Sequence, residues 1–117
     1  MSKEKILITD PVHQLLIADL EAMGYEVDYQ PAANQLEVLE IISEYTGLII
    51  NSKINADVQL IDRGVRLKFI GRLGAGLEVI DQPYANAKGI KCFNTPEGNC
   101  DAVAEHAMGM LLGLMNH

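Results

Sequence analysis

Five short apolar runs alternate with five stretches of helical spacing along 117 residues, and that rhythm constrains the fold more than any single motif. "KILITD" (5–10), "YEVDYQ" (25–30), "GLIINS" (47–52), "LKFIGRLG" (67–74) and "IKCFNTP" (90–96) read as strands, the second as an edge strand. Helices are predicted over 12–24, 34–45, 56–64, 82–89 and 101–117. The first places Leu15, Leu16, Leu20 and Met23 on one face and ends at Gly24, a natural C-cap. The second repeats the spacing with Leu36, Leu39 and Ile42 behind an Asn34 cap. Gly64 closes the third, and Asp81 followed by Pro83 opens the fourth. Short βα connections imply parallel strands covered by helices on both faces, an α/β doubly wound domain. Five strands suit the flavodoxin-like order 2-1-3-4-5 better than a six-stranded dinucleotide fold.

Composition narrows what such a domain can do. The net charge is −7, and no basic cluster is present to neutralise phosphates, so neither nucleic acid nor an anionic membrane is an expected partner. The longest apolar stretches fall short of the ~18 residues of a membrane span. The opening "MSKEKILITD" has no signal-peptide character, and two cysteines, Cys92 and Cys100, make no disulfide framework; a cytoplasmic protein is expected. His13, His106 and His117 show no metal-ligand spacing with the cysteines, so no metal site is expected. Glu105 and His106 are adjacent on a helix and point about 100° apart, which argues against an acid–base pair. Cys100 lies near a helix start but has no base beside it.

Ligands of parallel sheets sit beyond the carboxyl ends of the strands, so the loops "TDPVH", "NSKIN", "RLGAGLE" and "NTPEGN" carry the function. A receiver domain would need an acidic pair after the first strand, where Asp10 stands alone. A flavin phosphate loop would need Ser, Thr and Gly where "DPVHQ" stands. Ser52 and Lys53 have the chemistry to polarise a substrate, although a solvated lysine is the better reading of Lys53. The dinucleotide fingerprint read from Gly74 ends on Val79, too large for close helix–strand packing. What survives is a tight turn whose N–H groups around Ala75 and Gly76 suit one small anion, with the Arg72 fork nearby. Glycines that merely shape a turn, with Arg72 paired to a surface acid, fit these residues as well.

The stretch "FIGRLGAGLEVIDQPYANAKGIKCFNTPEGNCDAVAEHAMGMLLGLM" closely resembles the end of the first half of D-2-hydroxyacid dehydrogenases. The resemblance implies a flavodoxin-like substrate domain over 1–117, one wall of a cleft whose other wall is an inserted Rossmann domain that binds NAD. It implies that the backbone at Ala75 and Gly76 grips the carboxylate of a small 2-hydroxy or 2-oxo acid, with Arg72 helping and Ser52 close by. It places Ala75 and Val103 beside the cofactor, and residues 99–117 on an interdomain helix. The family's catalytic arginine, glutamate and histidine follow the dinucleotide-binding segment, and His106 does not match the histidine motif. No catalytic residue is therefore expected within 1–117, and the chain reads as a truncated N-terminal portion, inactive alone. Residues 107–115, apolar or small throughout, are expected to pack against the missing Rossmann domain or to pair two copies as a homodimer. A stand-alone interaction module or a small-acid sensor without catalysis is the alternative.

Overall fold

Each of the five apolar runs forms a strand of one parallel sheet: β1 (Lys5–Ile8), β2 (Glu26–Tyr29), β3 (Gly47–Ile50), β4 (Phe69–Arg72) and β5 (Lys91–Asn94). Their spatial order is β2-β1-β3-β4-β5, the flavodoxin-like order. The computed structural model describes residues 4–10, 14–51, 53–73 and 79–94. The helix expected over 101–117, with its 107–115 surface, lies outside the described residues, as do Ser52, Ala75, Gly76 and Val103.

Strand pleating sends alternate side chains to opposite faces, and both faces are buried. Leu7, Leu48, Ile50 and Ile70 pack under helices α2 (Gln35–Ile41), α3 (Val58–Arg63) and α4 (Gln82–Ala87), meeting Val38, Leu60, Ile61 and Ala85. Ile6, Ile8, Ile49 and Phe69 turn to the other face, where α1 (Gln14–Ala22) contributes Leu16 and Leu20. The edge strand β2 is exposed at both ends and half-buried at Val27 and Asp28, so its burial does not follow the alternation of its sequence.

Among the described residues, the nine predicted elements that can be compared are each shorter than expected. Two predicted contacts also fail: Leu15 is 62% exposed and Leu36 is 71% exposed. In α1 the buried pair is Leu16 and Leu20, four apart, and Leu15 lies about 100° around the helix from Leu16. In the second helix Val38, Leu39 and Ile42 form the stripe instead. That helix does not run to residue 45; Ile42–Glu44 tighten into a 3-10 turn that feeds β3. Asn34 caps α2 as expected, within a full capping box completed by Glu37. Asp81 caps α4 with Pro83 in its first turn. Gly24 takes φ +102°, the left-handed conformation expected of a C-cap glycine.

Candidate functional site at the carboxyl edge of the sheet

In an open α/β sheet the ligand crevice opens where strand order reverses, which here is between β1 and β3. The last ladder bond there runs from the Thr9 N–H to the Ile49 carbonyl at 3.1 Å. Continuing the ladder would send the Asn51 N–H to the Thr9 carbonyl. It donates instead to the Asp10 carboxylate, at 2.8 Å. The Thr9 hydroxyl donates to the same Oδ2 at 3.1 Å. Thr9 and Asp10 are both buried, so this carboxylate closes the crevice as an internal acceptor.

One strand over, Arg72 ends β4, half-buried, and its Nε donates to the Asn51 carbonyl at 3.3 Å. The described residues on either side of 74–78 are tied to β3 and to the chain that leaves it. Before 74–78, the Leu73 N–H meets the Ile50 carbonyl at 2.8 Å. After it, Ala56 and Ile80 form a parallel bridge, with Ala56 N–H to Val79 carbonyl at 2.7 Å and Asp81 N–H to Ala56 carbonyl at 2.9 Å. The chain leaving β3 is thus stitched to the chain entering and leaving 74–78. Lys53 is exposed and donates its ammonium to the Pro31 carbonyl, which fits the solvated lysine better than a group aimed at substrate.

Of the residues the sequence singles out, Arg72 is brought to the carboxyl edge. Ser52, Ala75, Gly76 and Val103 lie outside the described residues. The residue that sequence reasoning passed over is Asp10. It was weighed only as half of an absent acidic pair, whereas its partner is the backbone of a residue 41 positions away. The sequence offers only an aspartate just past an apolar strand; its burial and its partner come from the fold.

The described residues do not fit a dinucleotide. A pyrophosphate needs free backbone N–H groups at the switch point, and here the Asn51 N–H is taken by a carboxylate that would repel phosphate. Among the described residues no cluster of His, Cys, Asp or Glu could hold a metal ion. Among them, too, no helix is long and apolar enough to cross a membrane. Burial pushes the Cys92 thiol up, away from the thiolate a nucleophile requires.

Comparison with known proteins bears on the family and the fold. The family model for the catalytic domain of D-isomer specific 2-hydroxyacid dehydrogenases matches residues 6–109. D-3-phosphoglycerate dehydrogenase of Synechocystis sp. is 36% identical over 113 residues, covering 97% of this chain and 20% of that protein. Hydroxypyruvate reductase of Thermotoga maritima is 33% identical over 123 residues, covering 100% of this chain and 38% of that protein. The crystal structure of NAD+-bound 3-phosphoglycerate dehydrogenase from Entamoeba histolytica superposes with a TM-score of 0.70 at 31% identity, covering 94% of this chain and 38% of that one. The PH0520 protein of Pyrococcus horikoshii, at 20% identity and a TM-score of 0.74, shares the fold over 81% of this chain and 28% of its own. The chain spans 20% to 38% of the length of these curated relatives.

Proposed function

This chain belongs to the D-isomer specific 2-hydroxyacid dehydrogenases, and from that membership we propose that it forms the substrate-holding wall of an NAD-dependent enzyme. The substrate is a D-2-hydroxy acid, with 3-phosphoglycerate the first to test because relatives of that name match most of the chain. The observation that carries the reading is Arg72 at the end of β4, its Nε held by the Asn51 carbonyl at the carboxyl edge of the sheet.

A 2-hydroxy acid carries its carboxylate next to the carbon that loses hydride. Fixing the carboxylate therefore aims the reacting carbon. A guanidinium matches a carboxylate in charge and planar geometry, and N–H groups at Ala75 and Gly76 complete the grip. Ser52 lies next to the orienting peptide in sequence and contributes a hydroxyl to the same anion. Ala75 and Val103 form the side of the cleft nearest NAD. The nicotinamide-binding half, with the base that takes the hydroxyl proton, lies outside residues 1–117, and NAD is bound there. In the assembled protein, residues 107–115 pack against that half or against a second copy.

Arg72→Ala in the complete dehydrogenase tests the site. Losing a charge-assisted bond to substrate lowers kcat/KM about ten- to hundredfold. Arg72→Lys keeps the charge without the fork and falls between. Unchanged kinetics in Arg72→Ala would make the arginine a surface ion-pair residue and remove the carboxylate site from this edge.

A further inference from the structure

An arginine binds a carboxylate well only when its guanidinium plane is already held, because the side chain otherwise spreads its fork over many rotamers. One hold here is the Asn51 carbonyl, bonded to Nε at 3.3 Å. The direction of that carbonyl depends on how the backbone leaves β3, at the point where the ladder to β1 has ended. There the Asn51 N–H donates to the Asp10 carboxylate at 2.8 Å. We infer that Asp10 is a positioning residue for substrate binding: it fixes residue 51 and, through the Asn51 carbonyl, the guanidinium of Arg72.

The inference rests on the reading of Arg72 as the carboxylate ligand. Asp10 is itself well held. Its Oδ2 accepts from the Thr9 hydroxyl at 3.1 Å, and the Thr9 N–H is tied to the Ile49 carbonyl at 3.1 Å. Thr9 is fully buried and Asp10 only 9% exposed, so little slack enters from solvent. A chain of hydrogen bonds thus runs from the end of β1, across the end of β3, to the last side chain of β4. If Asp10 loses its carboxylate, the Asn51 N–H has no acceptor, the backbone at 51 can rotate, and the Nε anchor of Arg72 moves with it.

The test is steady-state kinetics of the complete dehydrogenase with 3-phosphoglycerate and NAD, read as the KM of each substrate separately. Asp10→Ala is expected to raise the KM for the hydroxy acid roughly tenfold, the lower end for a bond to a charged group, and to leave the KM for NAD unchanged. Asp10→Asn keeps an oxygen acceptor at the same reach, so its KM stays within about twofold of the wild type. In an Arg72→Ala background, Asp10→Ala adds less than about twofold, because residues acting through one another are not additive. A full tenfold effect of Asp10→Ala on top of Arg72→Ala overturns the inference. So does a folded Asp10→Ala with unchanged KM. Should Asp10→Ala fail to fold, Asp10→Ser, too short to reach Asn51, carries the same expectation and the same refutation. If Arg72→Ala leaves KM unchanged, the carboxylate site fails and the role of Asp10 fails with it. An effect of Arg72→Ala beside a silent Asp10→Ala removes the positioning role alone.

Discussion

Gly71 has no space for a side chain: a Cβ built there lies 2.7 Å from the Phe93 ring, and one built at Gly47 lies 2.2 Å from Phe69. Register explains both, since Gly47 pairs with Phe69 and Gly71 with Phe93 on the neighbouring strands. Each ring lies across the glycine opposite, and the rings stack on one another with centroids 6.0 Å apart, while Tyr25 meets Phe69 edge-on. Phe69 is fully buried and cannot retreat, so Gly47→Ala is expected to cost about 1–3 kcal/mol by overpacking, measured as a lower urea midpoint. A mutant as stable as the wild type would show that the rings can shift. The tyrosines set a limit at high pH. Burial, with the Glu4 charge second, pushes Tyr25 up to about 12. Burial, together with the hydrogen bond it donates to Asp28, raises Tyr45 as well. A raised pKa means the unfolded chain ionises first. The stabilising contribution is whole below the unfolded tyrosine pKa of about 10 and is lost as pH rises through that of the folded state. Thermal melts are expected to show a steep fall in Tm across that window, shallower in Tyr45→Phe; an equal slope in the variant would place the alkaline transition elsewhere.

The helices are short, so their ends matter as much as their faces. Asn34 and Glu37 exchange bonds of 2.9 and 3.1 Å at the start of α2, a helix of only 7 residues. Asn34→Ala should therefore cost about 1 kcal/mol in chemical unfolding, and a loss below a few tenths would mean water replaces the cap. The caps at Asn34 and Asp81 and the terminal Gly24 were legible because a cap acts within three or four residues along the chain. The strands and their order were legible for the same kind of reason: a period of two and short connections allow few alternatives. Leu15 and Leu36 were misplaced because periodicity over two turns does not say where the middle of the stripe falls. The site shows the same division. Arg72 could be picked out as an arginine beside a glycine-rich turn after an apolar run, whereas Asp10 could not, since its meaning comes from β1 and β3 ending side by side. Gly71 likewise reads as one glycine of a loop until the register sets it against Phe93.

At the scale of the molecule, the two ends of the sheet differ in kind. The amino end holds a cleft of about 460 Å³ lined by Glu4, Lys5, Glu44, Thr46, Arg66 and Lys68. Its charges are mixed, Thr46 is hydrogen-bonded to Glu4, and Lys5 pairs with Glu26 at 3.6 Å, so neither sign dominates for a ligand to match. Size alone does not make it the active site, because parallel sheets present their loops and ligands at the carboxyl end. Lys68→Ala is accordingly expected to leave the kinetics of the complete enzyme unchanged, and a raised KM would move the substrate to this end. The carboxyl end has Arg72, its Nε donating to the Asn51 carbonyl, but, among the described residues, no cradle for a cofactor. A pyrophosphate needs open N–H groups at the switch point; here the Asn51 N–H, at the end of β3, is already taken by Asp10. Opening that bond would take the Asn51 donor from a buried carboxylate and set that carboxylate against a second negative charge. The chain of residues 1–117 by itself should therefore not bind NADH, and should not reduce NAD in the presence of 3-phosphoglycerate or any other hydroxy acid. NADH fluorescence is the direct measurement: a bound nicotinamide brightens and shifts to the blue, whereas here the emission should match free NADH at every protein concentration. Saturable enhancement would show that this domain holds the cofactor unaided, and that the bond between Asp10 and Asn51 opens to admit it.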